Sequence, residues 1–116
     1  MLKPILELIQ EVRINLRCIT AQQAMTEVHN NNGLLLDVRE TTEVSDRQTP
    51  SSVNIPRGVL EMNMLTSYTN PDLPIYIHCA TGARASLAAE QLQRAGYRKV
   101  TVITCDLETV CNSQSP

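Results

Sequence analysis

The sequence predicts a single α/β domain in which helices cover a parallel β-sheet. Two short apolar runs, residues 34–38 and 75–78, have the length and composition of strands that are buried on both faces. They alternate with segments whose apolar residues recur at helical spacing, and such alternation favours parallel pairing with right-handed crossovers. At 116 residues, the chain has room for one compact domain.

The other elements follow in chain order. Thr20 is suited to cap a helix, with Gln23 completing a capping box, and Gly96 is suited to end one. The polar residues 39–50 are expected to be irregular. The pattern predicts helices or helical turns over 4–13, 21–29, 58–66, 84–95 and 106–110, and further strands over 15–19, 53–55 and 99–104.

Composition excludes several classes of function. Ten basic and twelve acidic residues give a net charge of −2, which argues against binding of nucleic acid or an anionic membrane. No apolar run approaches the ~18 residues of a membrane span, and residues 1–11 do not resemble a secretory signal. The four cysteines are unevenly spaced without a CxxC pair, so we expect reduced thiols and a cytoplasmic protein. With two histidines and no paired spacing, neither a metal site nor a cofactor is expected.

Residues 77–84 carry the chemistry of the chain. Cys79 directly follows a strand and precedes a turn of small residues that leads into a helix. Such a turn points backbone N–H groups inward, the helix N-terminus adds partial positive charge, and Arg84 adds a full charge. These groups favour the nucleophilic thiolate and would hold a small sulfur-containing anion or a persulfide. We therefore assign Cys79 as the catalytic residue, with a substrate-binding loop made of Ala80, Thr81, Gly82, Ala83 and Arg84.

Other polar residues lie near the same edge of the predicted sheet. Asp37 could orient the loop and Arg39 could add positive potential, or the two could form a structural ion pair. Arg57 could face the site or lie at the surface. His78 points to the opposite face from Cys79, because adjacent strand residues alternate, so it is interpreted as structural.

The remaining cysteines are assigned by position. Cys18 lies on an early strand and is expected in the core, whereas Cys111 is expected in an exposed tail. Cys105 follows a strand that should neighbour the Cys79 strand. It is either structural or, since neighbouring strands lie ~4.8 Å apart, a candidate resolving thiol that could form a disulfide with Cys79.

Four segments together resemble the rhodanese superfamily in order and spacing. They are Asp37-Val38-Arg39-Glu40, Val53-Asn54-Ile55-Pro56, Cys79-Ala80-Thr81-Gly82-Ala83-Arg84, and the run from Ala88 to Val100. The resemblance implies a five-stranded parallel sheet and a sulfurtransferase cycle. In that cycle Cys79 attacks the outer sulfur of a donor such as thiosulfate, becomes a persulfide, and passes the sulfur to cyanide or a thiol. The implied division is an N-terminal helix (1–14), a rhodanese-like domain (15–111) and a flexible tail (112–116).

The chain departs from the family pattern beside the site. Arg47-Gln48 replaces the usual Gly-His, Ser51 replaces a glycine, Cys105-Asp106 replaces a Gly-Gly pair, and Val110 stands where a Trp is common. Cysteine phosphatases of related architecture need five residues between the cysteine and the arginine, whereas four lie between Cys79 and Arg84. The shorter loop favours sulfur chemistry over phosphatase activity.

Three functions remain open from the sequence. The first is a sulfurtransferase that uses thiosulfate or a persulfide and passes sulfur to a thiol or a protein acceptor. The second is a sulfur-relay or redox-sensing module that carries a modified Cys79. The third is a catalytically silent interaction domain of the same fold.

Overall fold

Five parallel strands form a sheet at the centre of the molecule. In the computed structural model, which describes residues 1–49 and 51–114, their order is β1-β5-β4-β2-β3. The central strand β4 is flanked by β2 and β5, so the parallel α/β class predicted from the sequence is confirmed. The strands are β1 (Arg17–Ile19), β2 (Leu34–Asp37), β3 (Val53–Asn54), β4 (Ile75–His78) and β5 (Val100–Ile103).

Helices cover both faces of this sheet. Helices α1, α4 and α5 lie on one face, and α2 and α6 lie on the other. A short 3₁₀ turn, Arg57–Val59, leads into α4. None of the helices in the described part of the chain has the length and apolarity needed to cross a membrane. The helices are α1 (Ile5–Arg13), α2 (Ala21–Asn31), α3 (Thr41–Asp46), α4 (Leu60–Ser67), α5 (Ala83–Ala95) and α6 (Leu107–Gln114).

The strands alternate their side chains between two apolar clusters. Ile77 and Val102, which are paired in register, belong to the cluster under α4 and α5. Tyr76 and Ile103 belong to the cluster under α2 and α6. Since successive strand residues point to opposite faces, Cys79 continues the alternation of Ile77 and lies on the α5 side.

The residues predicted to cap the helices do so at the start of α2 and at the end of α5. The Thr20 hydroxyl accepts a hydrogen bond from the Gln23 N–H at 3.2 Å at the start of α2. Asn32 (φ 56°) ends α2 in the left-handed conformation, and Gly96 (φ 118°) ends α5 in the same way.

The segment expected to be irregular contains a helix, and this prediction was wrong. Helix α3 begins with a reciprocal capping box, in which the Glu40 side chain accepts from the Glu43 N–H and the Glu43 side chain accepts from the Glu40 N–H. Helix α3 buries no residue, so it has no apolar periodicity to reveal it. Two acidic residues three positions apart were the available signal.

Helices near both ends of the described chain pack against other helices. Helix α1 packs against α5 through the buried Ile9 and Val12, so it is part of the same packed unit. Helix α6 extends to Gln114 and includes three of the residues assigned to a flexible tail. Ser115 and Pro116 lie outside the described residues.

Candidate active site

Cys79 lies directly after β4 with its thiol under the start of α5. The residue is 1% exposed. Its Sγ accepts hydrogen bonds from the backbone N–H groups of Gly82, at 3.1 Å, and of Ala85, at 3.4 Å. Ala85 lies in the first turn of α5, whose N–H groups carry the positive end of the helix dipole. The sulfur therefore occupies a cradle of backbone donors of the kind predicted from the sequence, with Ala85 as a donor that the sequence did not indicate.

The loop from Ala80 to Ala83 is held by its own backbone. Gly82 has φ +95°, a left-handed conformation that L side chains rarely adopt, and it is buried. The Gly82 carbonyl accepts from the hydroxyl of Ser86 at 2.8 Å. Thr81 is exposed at the tip of the loop. This turn is what brings the Gly82 N–H onto the sulfur of Cys79.

Two distant elements fix the outside of this loop. The N–H of Leu107, at the start of α6, donates to the Ala80 carbonyl at 3.0 Å. From α1, the Nε of Arg13 donates to Ser86 Oγ at 2.9 Å. The sequence gave no signal for Arg13, because it lies 73 positions from Ser86 and only the tertiary structure brings the two together.

Arg84 is paired with a carboxylate that the sequence did not identify. Its two terminal nitrogens donate to the two oxygens of Glu43 on α3, at 2.6 and 2.9 Å. The hydrogen bonds from Arg84, and then the backbone hydrogen bond from Glu40, lower the pKa of the Glu43 carboxyl to about 2. The same hydrogen bonding raises the pKa of Arg84. The positive charge of Arg84 therefore lies against a carboxylate from a different element.

Asp37 and Arg39 form a buried ion pair. Both side chains are almost inaccessible to solvent, and Arg39 donates to the two Asp37 oxygens at 2.8 to 3.1 Å. Thr49 Oγ1 also donates to Asp37, at 3.1 Å. The guanidinium of Arg39 further donates to the carbonyls of Glu43 and Arg47, at 3.2 and 2.8 Å. Of the two roles considered from the sequence, the structure shows the structural pair, which anchors α3.

His78 contacts Ser52 and does not lie on the side of Cys79. Its Nε2 is 2.7 Å from the Ser52 hydroxyl, and its Nδ1 has no hydrogen-bond partner among the described residues. Burial lowers the pKa of His78 to about 4, against a smaller opposing effect of the Asp37 charge. These contacts agree with the structural interpretation made from strand alternation.

Cys105 lies on the opposite face of the sheet from Cys79, contrary to expectation. The strands β4 and β5 are neighbours as predicted, but Ile77 pairs with Val102, so the register aligns Cys79 with Thr104 and leaves Cys105 one residue further. One residue reverses the direction of a strand side chain. The Cys105 Sγ instead accepts from the Ala21 N–H at 3.2 Å and packs with the cluster under α2.

Two cysteines lie elsewhere than expected, and Arg57 is held by an ion pair. Cys18 is exposed on the edge strand β1 and is not part of the core. Cys111 is buried on α6, near the Gln48 carbonyl at 3.6 Å, and is not an exposed tail residue. Arg57 pairs with Glu61 at 2.7 Å. Within residues 1–49 and 51–114, no three His, Cys, Asp or Glu side chains gather closely enough to hold a metal ion.

Two proteins are similar to this chain in sequence. The mitochondrial thiosulfate sulfurtransferase RDL2 of Saccharomyces cerevisiae is 33% identical over 89 residues, which cover 67% of this chain and 60% of that protein. The Bacillus subtilis protein YrkF, named for a proposed role as a sulfur carrier, is 36% identical over 66 residues, covering 57% of this chain and 35% of that protein. The chain thus spans less than two thirds of the length of either relative.

Solved structures share the fold. A protein of unknown function from Rhodopseudomonas palustris, described as a possible tyrosine phosphatase, has a TM-score of 0.81 at 23% identity and covers 100% of this chain and 95% of its own. The polysulfide-sulfur transferase homodimer from Wolinella succinogenes has a TM-score of 0.73 at 22% identity, with 95% and 83% covered. At these identities the likeness concerns the fold alone.

A family profile, described as the rhodanese-like domain, matches residues 20–112. The matched range includes strands β2 to β5, the Cys79 loop and the Asp37–Arg39 pair. Helix α1 and strand β1 lie outside it. The resemblance found in the sequence is therefore confirmed. The chain belongs to the rhodanese-like domain family.

Proposed function

We propose that the protein is a sulfurtransferase in which Cys79 carries one sulfur atom between a small donor and a thiophilic acceptor. The observation that carries this proposal is the position of Cys79 Sγ at the start of a 13-residue helix. There it accepts hydrogen bonds from the backbone N–H groups of Gly82 and Ala85. The same dipoles that favour a thiolate favour the terminal sulfur anion of a persulfide. The family membership and the names of the two similar proteins support the same class of reaction.

The reaction proceeds in two displacements at sulfur. The Cys79 thiolate attacks the outer sulfur of the donor, the donor S–S bond breaks, and its electron pair leaves with sulfite from thiosulfate or with a thiolate from a persulfide. The acceptor, cyanide or a thiolate, then attacks the terminal sulfur of the Cys79 persulfide. The Cys79 thiolate leaves with the electron pair of that bond. No electrons are gained or lost overall, so the cycle requires no metal or organic cofactor.

The donor is a small sulfur-containing anion or a persulfide, and the acceptor is a thiol or a protein. A second candidate function is a sulfur relay, in which the persulfide is handed to a partner protein instead of being turned over with small molecules. It is favoured by the similarity to the Bacillus subtilis protein YrkF, which is named for a proposed role as a sulfur carrier. We place the protein in a reducing compartment such as the cytoplasm, in keeping with its four unevenly spaced cysteines and the lack of a CxxC pair.

Intact-mass measurement tests the proposal. After incubation with thiosulfate or cysteine persulfide, the wild-type protein should gain one sulfur atom, and Cys79→Ala should gain none. The Cys105→Ala variant is the matched control and should be loaded like the wild type, since Cys105 lies on the other face. Thiocyanate formation on addition of cyanide identifies an enzyme, whereas a stable load without turnover identifies a relay. An unloaded wild-type protein would refute both and favour the silent interaction domain.

A further inference from the structure

The carboxylate of Glu43 binds the guanidinium of Arg84. The two groups form a bidentate pair at 2.6 and 2.9 Å, and each side chain is only about a third exposed, at 37% and 35%. A guanidinium has few donor directions that match two anion oxygens at once. An anionic donor that approaches Arg84 in this way therefore competes with Glu43 for the same nitrogens.

Glu43 is held in place by the fold. Its side chain also accepts the Glu40 N–H, at 3.0 Å, as half of the α3 capping box. The Arg39 guanidinium, itself bound to the buried Asp37, donates to the Glu43 carbonyl at 3.2 Å. Arg39 thus holds the Glu43 backbone and the Glu40 N–H holds the carboxylate, so moving the carboxylate away from Arg84 would disturb the start of α3.

The charges around the loop are balanced by carboxylates on the α3 side. Arg39 is paired with the buried Asp37. Glu40 adds a further negative charge that acts on Arg84. The thiosulfate dianion, and the sulfite dianion that leaves from it, would require positive charge here. A persulfide of low charge, whose leaving group is a thiolate, does not.

We propose that Glu43 is a specificity-determining residue that disfavours dianionic donors such as thiosulfate and selects persulfides, by holding Arg84 away from the donor. The inference rests on the sulfur transfer proposed above. Arg13, on the α1 side of the loop, contributes equally to every variant compared below because its contact to Ser86 does not involve Glu43 or Arg84.

The test compares two donors in four proteins. We measure kcat/KM with thiosulfate and with cysteine persulfide for the wild type, Glu43→Gln, Glu43→Gln/Arg84→Gln and Glu108→Gln. Gln at position 43 keeps an oxygen for the Glu40 N–H but lacks the charge. Glu108→Gln is the matched control, because it releases Arg47 from a similar, more exposed pair at 3.1 Å.

Glu43→Gln should raise kcat/KM for thiosulfate about tenfold through a lower KM, the factor expected for one charge-assisted contact, and leave the persulfide value within about twofold. The double variant should lose this gain, and Glu108→Gln should change neither donor. Should Glu43→Gln fail to fold, Glu43→Asp, which keeps the charge but withdraws it by one methylene, should show a smaller rise for thiosulfate alone.

An unchanged or lower thiosulfate value in a folded Glu43 variant, or an equal rise with both donors, would overturn the assignment. That result leaves the proposed function standing as long as the wild type is loaded at Cys79. If neither donor loads the wild type, the proposed function itself fails, so the two failures are distinguished by the wild-type measurement.

Discussion

A terminal nitrogen of Arg13 lies 2.9 Å from the point where a Cβ on Gly82 would stand. Arg13 ends the first helix, outside the range matched by the family profile, and Gly82 is one of the two residues whose N–H groups donate to the sulfur of Cys79. Ser86 joins them, because its hydroxyl accepts from Arg13 and donates to the Gly82 carbonyl. Helix α1 thus supports the sulfur-binding loop from outside.

Arg13→Ala should loosen this loop without unfolding the domain. We expect kcat/KM for sulfur transfer to fall about three- to tenfold, as for loss of one hydrogen bond, with Arg13→Lys recovering part of the loss. The rate of Cys79 alkylation should change in Arg13→Ala because the Gly82 N–H is displaced from the sulfur. Lys3→Ala, which removes another cation near α1 that pairs with Glu11, should leave both measurements unchanged. An alkylation rate identical to that of the wild type would limit Arg13 to a purely structural role.

Gly82→Ala should destabilise the fold more than Gly96→Ala. Both residues have positive φ, 95° and 118°, so each substitution costs about 1–2 kcal/mol of backbone strain. Only at Gly82 would the new Cβ also meet Arg13, whereas at Gly96 it meets nothing within 4 Å. Urea unfolding gives the two free energies of unfolding. In an Arg13→Ala background, the two substitutions should lower the free energy of unfolding by more similar amounts. If the difference between them persists, the contact with Arg13 does not cause it.

Mild peroxide should not cross-link Cys79 to Cys105. Their thiols belong to opposite faces of the sheet, and Cys105 is held against the Ala21 N–H at 3.2 Å. A disulfide requires Cβ atoms about 3.5–4.5 Å apart with vectors that converge, which this register does not provide. Peptide mapping should instead find Cys79 as a sulfenic acid or a mixed disulfide. Recovery of a Cys79–Cys105 peptide would mean that the loop can turn its thiol through the edge of the sheet.

Acid should weaken the fold through His78 before it reaches the carboxylates. Burial lowers the pKa of His78 to about 4, from an ordinary value of 6.5. Below pH 6.5 the unfolded chain therefore binds a proton that the native protein does not, and stability falls as the pH approaches 4. Between pH 7 and pH 5 the loss should be about 2 kcal/mol. Glu43 also contributes to stability, but through hydrogen bonds to its charged form and not through burial of a neutral one. Because these hydrogen bonds lower its pKa to about 2, that contribution is lost only below pH 4.5.

Two histidine variants check the assignment of this pH dependence. His78→Gln retains a group able to bond to Ser52 and should flatten the dependence of the unfolding free energy between pH 7 and pH 5. His29→Gln, at an exposed position on α2, should leave the dependence as it is in the wild type. If the unfolding free energy has the same pH dependence in the wild type and in His78→Gln, the effect arises from another group.

The strand–Cys–turn–helix segment could be predicted from the sequence because its determinants are local. An apolar run of strand length, small residues in the turn, Gly82 and the Gly96 stop all act within a few positions of one another. The parallel class followed in the same way from the alternation of strand and helix patterns. Helix α3 has a local signal too, its Glu40 and Glu43 capping box, but no apolar face on which periodicity depends.

The environment of Cys79 was decided by the tertiary structure. Glu43 meets Arg84 from 41 positions away, and Arg13 meets Ser86 from 73 positions away, at distances in sequence over which no local pattern acts. The face of the sheet on which Cys105 lies depends on the strand register, because a shift of one residue moves a side chain to the other face. The sequence by itself thus determined the fold class and indicated Cys79 as the residue proposed to carry sulfur. Packing decided which charges surround Cys79, because charge pairing depends on contacts between elements that a one-dimensional pattern does not contain.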